Sequence, residues 1–322
     1  MRIGMVTDSL AMLPFEEMLD TAAELGVEDL EFPVGGWSTA PHLDAPALLA
    51  DASARDRFAG AVQDRGLRIS ALNANGNQLH PTTGAKDDQV VRNAVELAGQ
   101  MGVPTVVLMS GLPGGAPGDI SGNWVTTSWP PETQTILDYQ WNEIAIPYWR
   151  ELATFAGDRG VRLAVEMHGH QLVYNAATLL RLREAVGGDV VGANLDPSHP
   201  MWMGADPSTV ARTLSGVIYN VHAKDSRRQE HVVAAQGVLD TQPPEAYMDR
   251  AWNFVTLGLG RDGGAQMWGR FLWDLRAAGF DGTLAIEHED MQMGAVEGVR
   301  ESVGILESVI LRDPPSWSPQ AI

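Results

Sequence analysis

The chain contains no cysteine. That excludes disulfide staples, thiolate nucleophiles and zinc–thiolate sites, and it fits a reducing compartment. Positive charge is scarce: 22 Lys and Arg stand against 41 Asp and Glu, a formal net charge of −19. A nucleic-acid binder needs a basic footprint to meet phosphates, and a protein held on anionic lipid needs one too, so both readings are disfavoured. No run approaches the ~18 uninterrupted apolar residues of a membrane span. The N-terminal stretch Met1-Arg2-Ile3-Gly4-Met5-Val6-Thr7-Asp8 lacks the apolar core of a secretory signal, so a cytoplasmic location is expected.

What is present is the composition of an ordinary globular chain of 322 residues, 44% hydrophobic and 20% charged. One theme repeats along it: a short apolar strand, a polar loop, an amphipathic helix ending at glycine, then another strand. Gly26, Gly66, Gly102, Gly160, Gly187, Gly216 and Gly279 mark helix ends. Strands are predicted over residues 2–7, 27–33, 67–73, 103–110, 161–167, 190–196, 217–222 and 283–287, with a last helix over about 295–311. Eight strand–helix units predict an α/β fold, a single (β/α)₈ TIM barrel. The rival doubly wound sheet often carries a Gly-rich phosphate loop after its first strand, and none follows Val6. The barrel domain is expected to span residues 1–312, followed by an extended Pro-rich tail over 313–322. Long loops are predicted after strands four and seven, over residues 111–135 and 226–265. Both would lie over the C-terminal face, where barrels place their sites.

The functional signal lies in four strands that end in Val165-Glu166, Leu195-Asp196, Val221-His222 and Ile286-Glu287. Residues one and three positions earlier are mostly apolar: Val165 and Leu163, Leu195 and Ala193, Val221 and Tyr219, Ile286 and Leu284. Those two positions earlier are Ala164, Asn194, Asn220 and Ala285. Side chains alternate along a strand, so the apolar set faces the helices and Glu166, Asp196, His222 and Glu287 converge inside the barrel mouth. Three carboxylates in one place repel. At ~4 Å and an effective dielectric of ~20 each pair costs about 4 kcal/mol. A cation such as Lys224 or a divalent metal must offset this. The mostly oxygen donor set suits Mn²⁺ or Mg²⁺, with other divalent metals as alternatives.

At these residues the chain resembles the sugar-phosphate isomerase/epimerase-like, or xylose-isomerase-like, barrels. Their pattern of Glu, Asp, His and Glu on strands five to eight holds one divalent metal. Longer strings resemble a narrower branch: Glu166-Met167-His168, Val173-Tyr174-Asn175, Asp196-Pro197-Ser198-His199-Pro200, His222-Ala223-Lys224-Asp225, Ile286-Glu287-His288-Glu289-Asp290, Trp141-Asn142-Glu143 and Ile146-Pro147-Tyr148-Trp149. That branch comprises 3-oxo-glycoside epimerases and the large subunits of C-glycoside deglycosidases. Ketose 3-epimerases carry a Glu six residues after the first metal Glu, where this chain has Leu172.

The resemblance implies a metal-dependent enzyme of 3-oxo-glycosides working through an enediolate. One outcome is a lyase that breaks the C- or O-glycosidic bond by elimination. The other is an epimerase or isomerase of a keto-sugar or 3-oxo-glycoside with the same site. It implies Glu166 and Glu287 as proton-exchanging ligands, with His199 and His168 as further catalytic candidates; imidazoles suit proton transfer near neutrality. Lys224 and Arg228 are candidate substrate contacts. Trp37, Trp124, Trp129 and Trp202 fall in predicted loops where aromatic faces stack on sugars, with Trp124 the candidate carried forward. Asn73 and Asn75 could bind hydroxyls. His170 and His288 are weaker candidates. A small second subunit and a homo-oligomer are implied by the resemblance only. An abasic-site endonuclease on the same barrel is disfavoured by the charge.

Overall fold

The computed structural model describes residues 1–260 and 263–319. Seven parallel strands alternate with helices: β1 (Arg2–Val6), β2 (Asp29–Pro33), β3 (Arg68–Asn73), β4 (Thr105–Met109), β5 (Arg162–Glu166), β6 (Val191–Leu195) and β7 (Ile218–Ala223). A two-stranded antiparallel hairpin follows, β8 (Asp225–Arg228) and β9 (Trp252–Val255), and then β10 (Thr283–Ile286) completes the set. The eight barrel strands close in the order β1-β10-β7-β6-β5-β4-β3-β2, every pair parallel. The helices are α1 (Phe15–Glu24), α2 (Ala45–Ala50), α3 (Ala52–Gln63), α4 (Gly84–Met101), α5 (Glu132–Asp138), α6 (Ile146–Gly157), α7 (Ala176–Val186), α8 (Ser198–Trp202), α9 (Pro207–Thr213), α10 (Glu230–Gln236), α11 (Gly264–Ala277) and α12 (Ala295–Val309). None of the described helices is long and apolar enough to cross a membrane.

The expected (β/α)₈ barrel is therefore the fold, and its chemistry is local. All seven glycines marked as helix ends have φ between 68° and 91°, the left-handed region that lets a chain leave a helix and enter the next strand. Outward strand residues such as Leu163, Val165, Ala193, Leu195, Val221, Leu284 and Ile286 are fully buried in the core shared with the helices. Inward residues at the lower end, Ala71, Val107 and Ala164, form a separate small cluster inside the barrel.

One parity expectation fails. Tyr219 does not join the outer core but packs on that inner cluster. The β6–β7 register shifts between Ala193 and Asn194, so Ala193 pairs Ile218 while Asn194 pairs Asn220. The extra residue turns Tyr219 inward beside Asn220. Gly192 makes room: a Cβ there would lie 2.4 Å from the Tyr219 ring.

The two long connections differ from each other. Residues 111–131 are irregular and are pinned from below by Gln140, whose Nε2 donates to Pro113 O and Asn123 O. Gln140 sits in a π-helical stretch, Tyr139–Ala145, that joins α5 to α6. The segment expected as a second long loop instead builds the β8–β9 hairpin and α10. Asp225 anchors it by accepting from Ser226 N, Gly258 N and Trp268 Nε1.

Candidate metal and active site

Glu166 ends β5, Asp196 follows β6, His222 lies near the end of β7, and Glu287 follows β10. One ligand atom from each lies within 4.8 Å of the others. Glu166, Asp196 and His222 are buried, while the Glu287 side chain retains 17% exposure toward a cavity of about 300 Å³. That cavity is also lined by Asp8, Trp37, Asn73, Asn75, His168, Lys224, Phe254 and Glu289.

Each ligand candidate is fixed by named partners. Glu166 Oε2 accepts from Asn75 Nδ2 at 3.0 Å and Asn194 Nδ2 at 3.1 Å, and Oε1 faces His199 Nε2 at 3.2 Å. Asp196 Oδ1 accepts from Ser198 N at 2.8 Å. His222 Nε2 meets Glu31 Oε1 at 2.9 Å, while Nδ1 points between Glu166 and Glu287 at 3.3 Å from each without a hydrogen bond. Lys224 Nζ donates to Glu287 Oε2 at 2.5 Å and Glu289 Oε2 at 3.2 Å and lies 3.1 Å from Asp196 Oδ2. Its ammonium also sits 4.6 Å from the Phe254 ring centre.

The electrostatics follow from this crowding. Burial opposes ionisation of Glu166 and Glu287, yet nearby cations outweigh it. His222, His199 and Lys224 hold Glu166 well below the usual carboxylate range, and Lys224 and His222 bring Glu287 down to about 2. Burial would lower the pKa values of His222 and Lys224. Instead Glu31, Glu287 and Glu166 hold His222 well above an ordinary imidazole, and Asp196, Glu287 and Glu289 raise Lys224. His168 goes the other way: burial and the neighbouring His199 push it down to about 3, so it is neutral at physiological pH. Its Nδ1 contacts Gly169 O, which leaves Nε2 as an acceptor.

These residues fit a divalent cation. Asp196 Oδ2 and His222 Nδ1 are buried without hydrogen bonds, the state expected of atoms meant for an ion. The carboxylates of Glu31, Glu166, Asp196 and Glu287 surround Lys224 and His222 and outnumber them, so negative charge is left in excess. Three carboxylates and one imidazole make a hard to borderline donor set.

The structure brings His168 and His199 to this centre, with ring centroids 4.2 Å apart. Trp37 reaches the cavity rim. Trp202 instead stacks on Trp252 at 4.4 Å, and Trp129 is 74% exposed outside the cavity. Exposed His170 packs against Trp124. The His288 ring turns to Met293 O, while its backbone N–H donates to Ser9.

Of the four expected substrate contacts, Lys224 and Asn73 line the cavity, while Trp124 and Arg228 face other cavities. Asn73 lines the cavity, but its Nδ2 donates to Glu31 and its Oδ1 accepts from Asn75 N, so both polar atoms are engaged. Trp124 lines a different cavity of about 250 Å³ with Trp141, Leu172 and Tyr174, because the loop after β4 folds outward over α5. Arg228 faces an outer cavity of about 1170 Å³ and pairs with Glu230 at 3.4 Å. The hairpin carries it there: once Asp225 is locked under Gly258 and Trp268, β8 leads away from the mouth.

Glu31 and Asp8 went unmarked in the sequence. Glu31 is fully buried, and its signal is a charge between Leu30 and Phe32 in an apolar strand. Asp8 lines the cavity with a buried, unpaired Oδ1. Burial raises its pKa, helped by Glu287 and opposed by the Ser38 hydrogen bond and His42.

A closed eight-stranded barrel with this polar mouth defines the class. The chain belongs to the Xylose isomerase-like TIM barrel family, whose sequence profile matches residues 19–309. It is 45% identical over 314 residues to a protein of Bacillus subtilis strain 168 named only as uncharacterized protein YfiH, covering 96% of this chain and 99% of that one. Among solved structures, the IOLI protein with a bound zinc atom is similar at TM-score 0.67 and 18% identity, over 96% of this chain and 98% of that chain. A D-psicose 3-epimerase in the presence of D-fructose is similar at 0.61 and 13%, over 96% and 99%. A probable 3-DHS dehydratase of Bacillus anthracis is similar at 0.66 and 17%, over 95% and 99%. At these identities the structural likenesses speak for the fold.

Proposed function

We propose that this protein is a divalent-metal-dependent enzyme, loaded with Mn²⁺ or Mg²⁺, that removes the proton beside the carbonyl of a 3-oxo-glycoside. The outcome proposed is elimination of the aglycone. The observation that carries the reading is the convergence of Glu166, Asp196, His222 and Glu287 to within 4.8 Å at the floor of a sugar-sized cavity. A divalent ion held there supplies positive charge against the negative charge that builds on a substrate oxygen as the proton leaves.

The chain's own groups divide the remaining work. Glu287 is the base best placed to meet substrate: it keeps exposure to the cavity, and its carboxylate accepts a hydrogen bond from Lys224. The C2 proton passes to this carboxylate. The electron pair of the C2–H bond becomes a C1–C2 double bond, and the pair of the C1–aglycone bond leaves with the aglycone, which takes up a proton. Glu166 lies across the ligand set in contact with His199, a pair that can hold or return a proton. Neutral His168 offers an acceptor to a sugar hydroxyl, and Trp37 a stacking face at the rim. Asp8 lines the same cavity, and its carboxyl is the further acidic group there that can exchange a proton with the departing aglycone.

Epimerisation of the same substrate is the second reading. It is favoured by two carboxylates, Glu166 and Glu287, on one cavity. Against a free-ketose 3-epimerase stands Leu172, an apolar core residue that lines the Trp124 cavity, where that branch carries a glutamate.

The test is NMR in D₂O with Mn²⁺-activated protein at trace metal, or the Mg²⁺ form, and 3-oxo-glucosides carrying O- and C-linked aglycones. Elimination releases aglycone. Ring deuteration with the glycosidic bond intact shows epimerisation or a lyase lacking a small partner subunit. If no aglycone is released and no deuterium enters the ring, 3-oxo-glycosides are ruled out as the substrate class.

A further inference from the structure

Glu31 stands in β2, three strands round the barrel from the β7 strand that carries His222. It is fully buried and does not line the cavity, so it cannot touch a substrate there. Three N–H groups converge on it. Oε1 meets His222 Nε2 at 2.9 Å and Asn73 Nδ2 at 2.7 Å, and Oε2 accepts from Asn220 Nδ2 at 2.8 Å.

Two amide arms run on from those contacts to Glu166. In one, Asn220 Nδ2 also donates to Asn194 Oδ1 at 3.1 Å, and Asn194 Nδ2 donates to Glu166 Oε2. In the other, Asn73 Oδ1 accepts from Asn75 N at 2.9 Å, and Asn75 Nδ2 donates to the same Glu166 oxygen. One buried carboxylate thus connects to two of the four ligand candidates, directly to His222 and through paired asparagines to Glu166.

We propose that Glu31 is the positioning residue of the metal centre, holding His222 by Nε2 so that Nδ1 is the metal-facing atom and orienting the Glu166 carboxylate through the Asn73–Asn75 and Asn220–Asn194 arms. The inference rests on the metal-binding reading of this site. Its physical basis is general: a carboxylate on the distal nitrogen of a metal-binding imidazole fixes the ring and raises its basicity. Glutamine cannot replace it. Its amide NH₂ would oppose one of the three donors, and Asn220 cannot flip without losing Asn194.

The test uses Zn²⁺ as a diamagnetic probe on the full chain. Calorimetric titration is expected to give a dissociation constant about 10–100-fold higher for Glu31→Gln than for wild type, the usual loss when such a partner is removed. Asp29→Asn, a change at the other buried carboxylate of the same strand, is expected to leave the constant within about twofold. In Zn²⁺-loaded wild-type protein with ¹⁵N-labelled histidine, His222 is expected to show Nδ1 bound to metal and Nε2 carrying a slowly exchanging proton. An unchanged constant for folded Glu31→Gln, or metal on Nε2, overturns the proposal. The second measurement needs no variant and stands even if Glu31→Gln fails to fold. Failure of wild type to bind Zn²⁺ overturns both this proposal and the metal reading; wild-type binding with either adverse result overturns this one alone.

Discussion

Asp29 and Glu31 lie two residues apart on β2, both face the barrel interior, and both side chains are buried from solvent. Their surroundings are opposite. Asp29, at the lower end, is matched by full charges: Arg68 grips it with Nε and Nη2 at 2.9 Å each, Arg2 Nε adds a bond at 3.0 Å and Thr283 Oγ1 one at 2.6 Å. Glu31, at the upper end, is matched by two amides and an imidazole. The lower carboxylate is compensated by full charges and ties β1, β2, β3 and β10 together. The upper one belongs to a cluster left with excess negative charge. Burying charge without full compensation costs stability, and proteins retain it where a ligand supplies the balance. The lower end of this barrel is built for closure, and the upper end gathers the residues that could hold a cation.

The predictions test that contrast, starting with the largest effect. Glu166→Gln/Glu287→Gln is expected to raise the Mn²⁺ dissociation constant at least about 1000-fold, roughly 4 kcal/mol. Calorimetry that finds near-wild-type binding would break the contrast at its upper end. Lys224→Met is expected to cost about 3 kcal/mol in metal-free protein, because Asp196 and Glu287 lose their buried cation. Denaturation with and without Mn²⁺ should show the deficit shrinking when metal replaces the missing charge.

Asp29→Asn is expected to cost about 1–3 kcal/mol, discounted because Arg2 and Arg68 are 38% and 58% exposed, with metal affinity unchanged. Its pH dependence has a definite sign. Burial raises the Asp29 pKa, but the bonds from Arg68, Thr283 and Arg2 outweigh it and hold the folded value below the ordinary 3.8. This stabilisation is present above pH 3.8 and is lost as the pH falls through the folded value. Acid unfolding curves of wild type and variant should converge there. Arg228→Ala is the smallest change: stability within about 0.5 kcal/mol and metal affinity within about twofold, since Arg228 faces the outer cavity.

The fold was legible because its signals are local and repeat. Gly26 and Gly66 end helices through backbone conformation alone, and Leu163-Ala164-Val165-Glu166 declares its two faces by alternation. The ligand candidates were legible for the same reason, as polar residues closing apolar strands. Glu31 was not, because one acidic residue in Leu30-Glu31-Phe32 gives no hint of partners on β3 and β7. Arg228 and Trp124 were misplaced because their loops fold through contacts far along the chain, Asp225 with Trp268 and Gln140 with Pro113. Tyr219 was misplaced by a bulge, since one extra residue reverses parity without leaving a mark in the composition.

By itself the sequence determined the eight strand–helix units, the closed barrel and the strand ends from which Glu166, Asp196, His222 and Glu287 project. Those properties depend on periodicity and backbone preference within a few residues. Only the tertiary structure decided that Glu31 holds His222, that two asparagine pairs tie it to Glu166, that Lys224 reaches Asp196 and Glu287, and that Arg228 turns away. Each of these depends on side chains distant in sequence meeting within about 3 Å, and that distance is set by barrel closure, strand register and the path of two long connections.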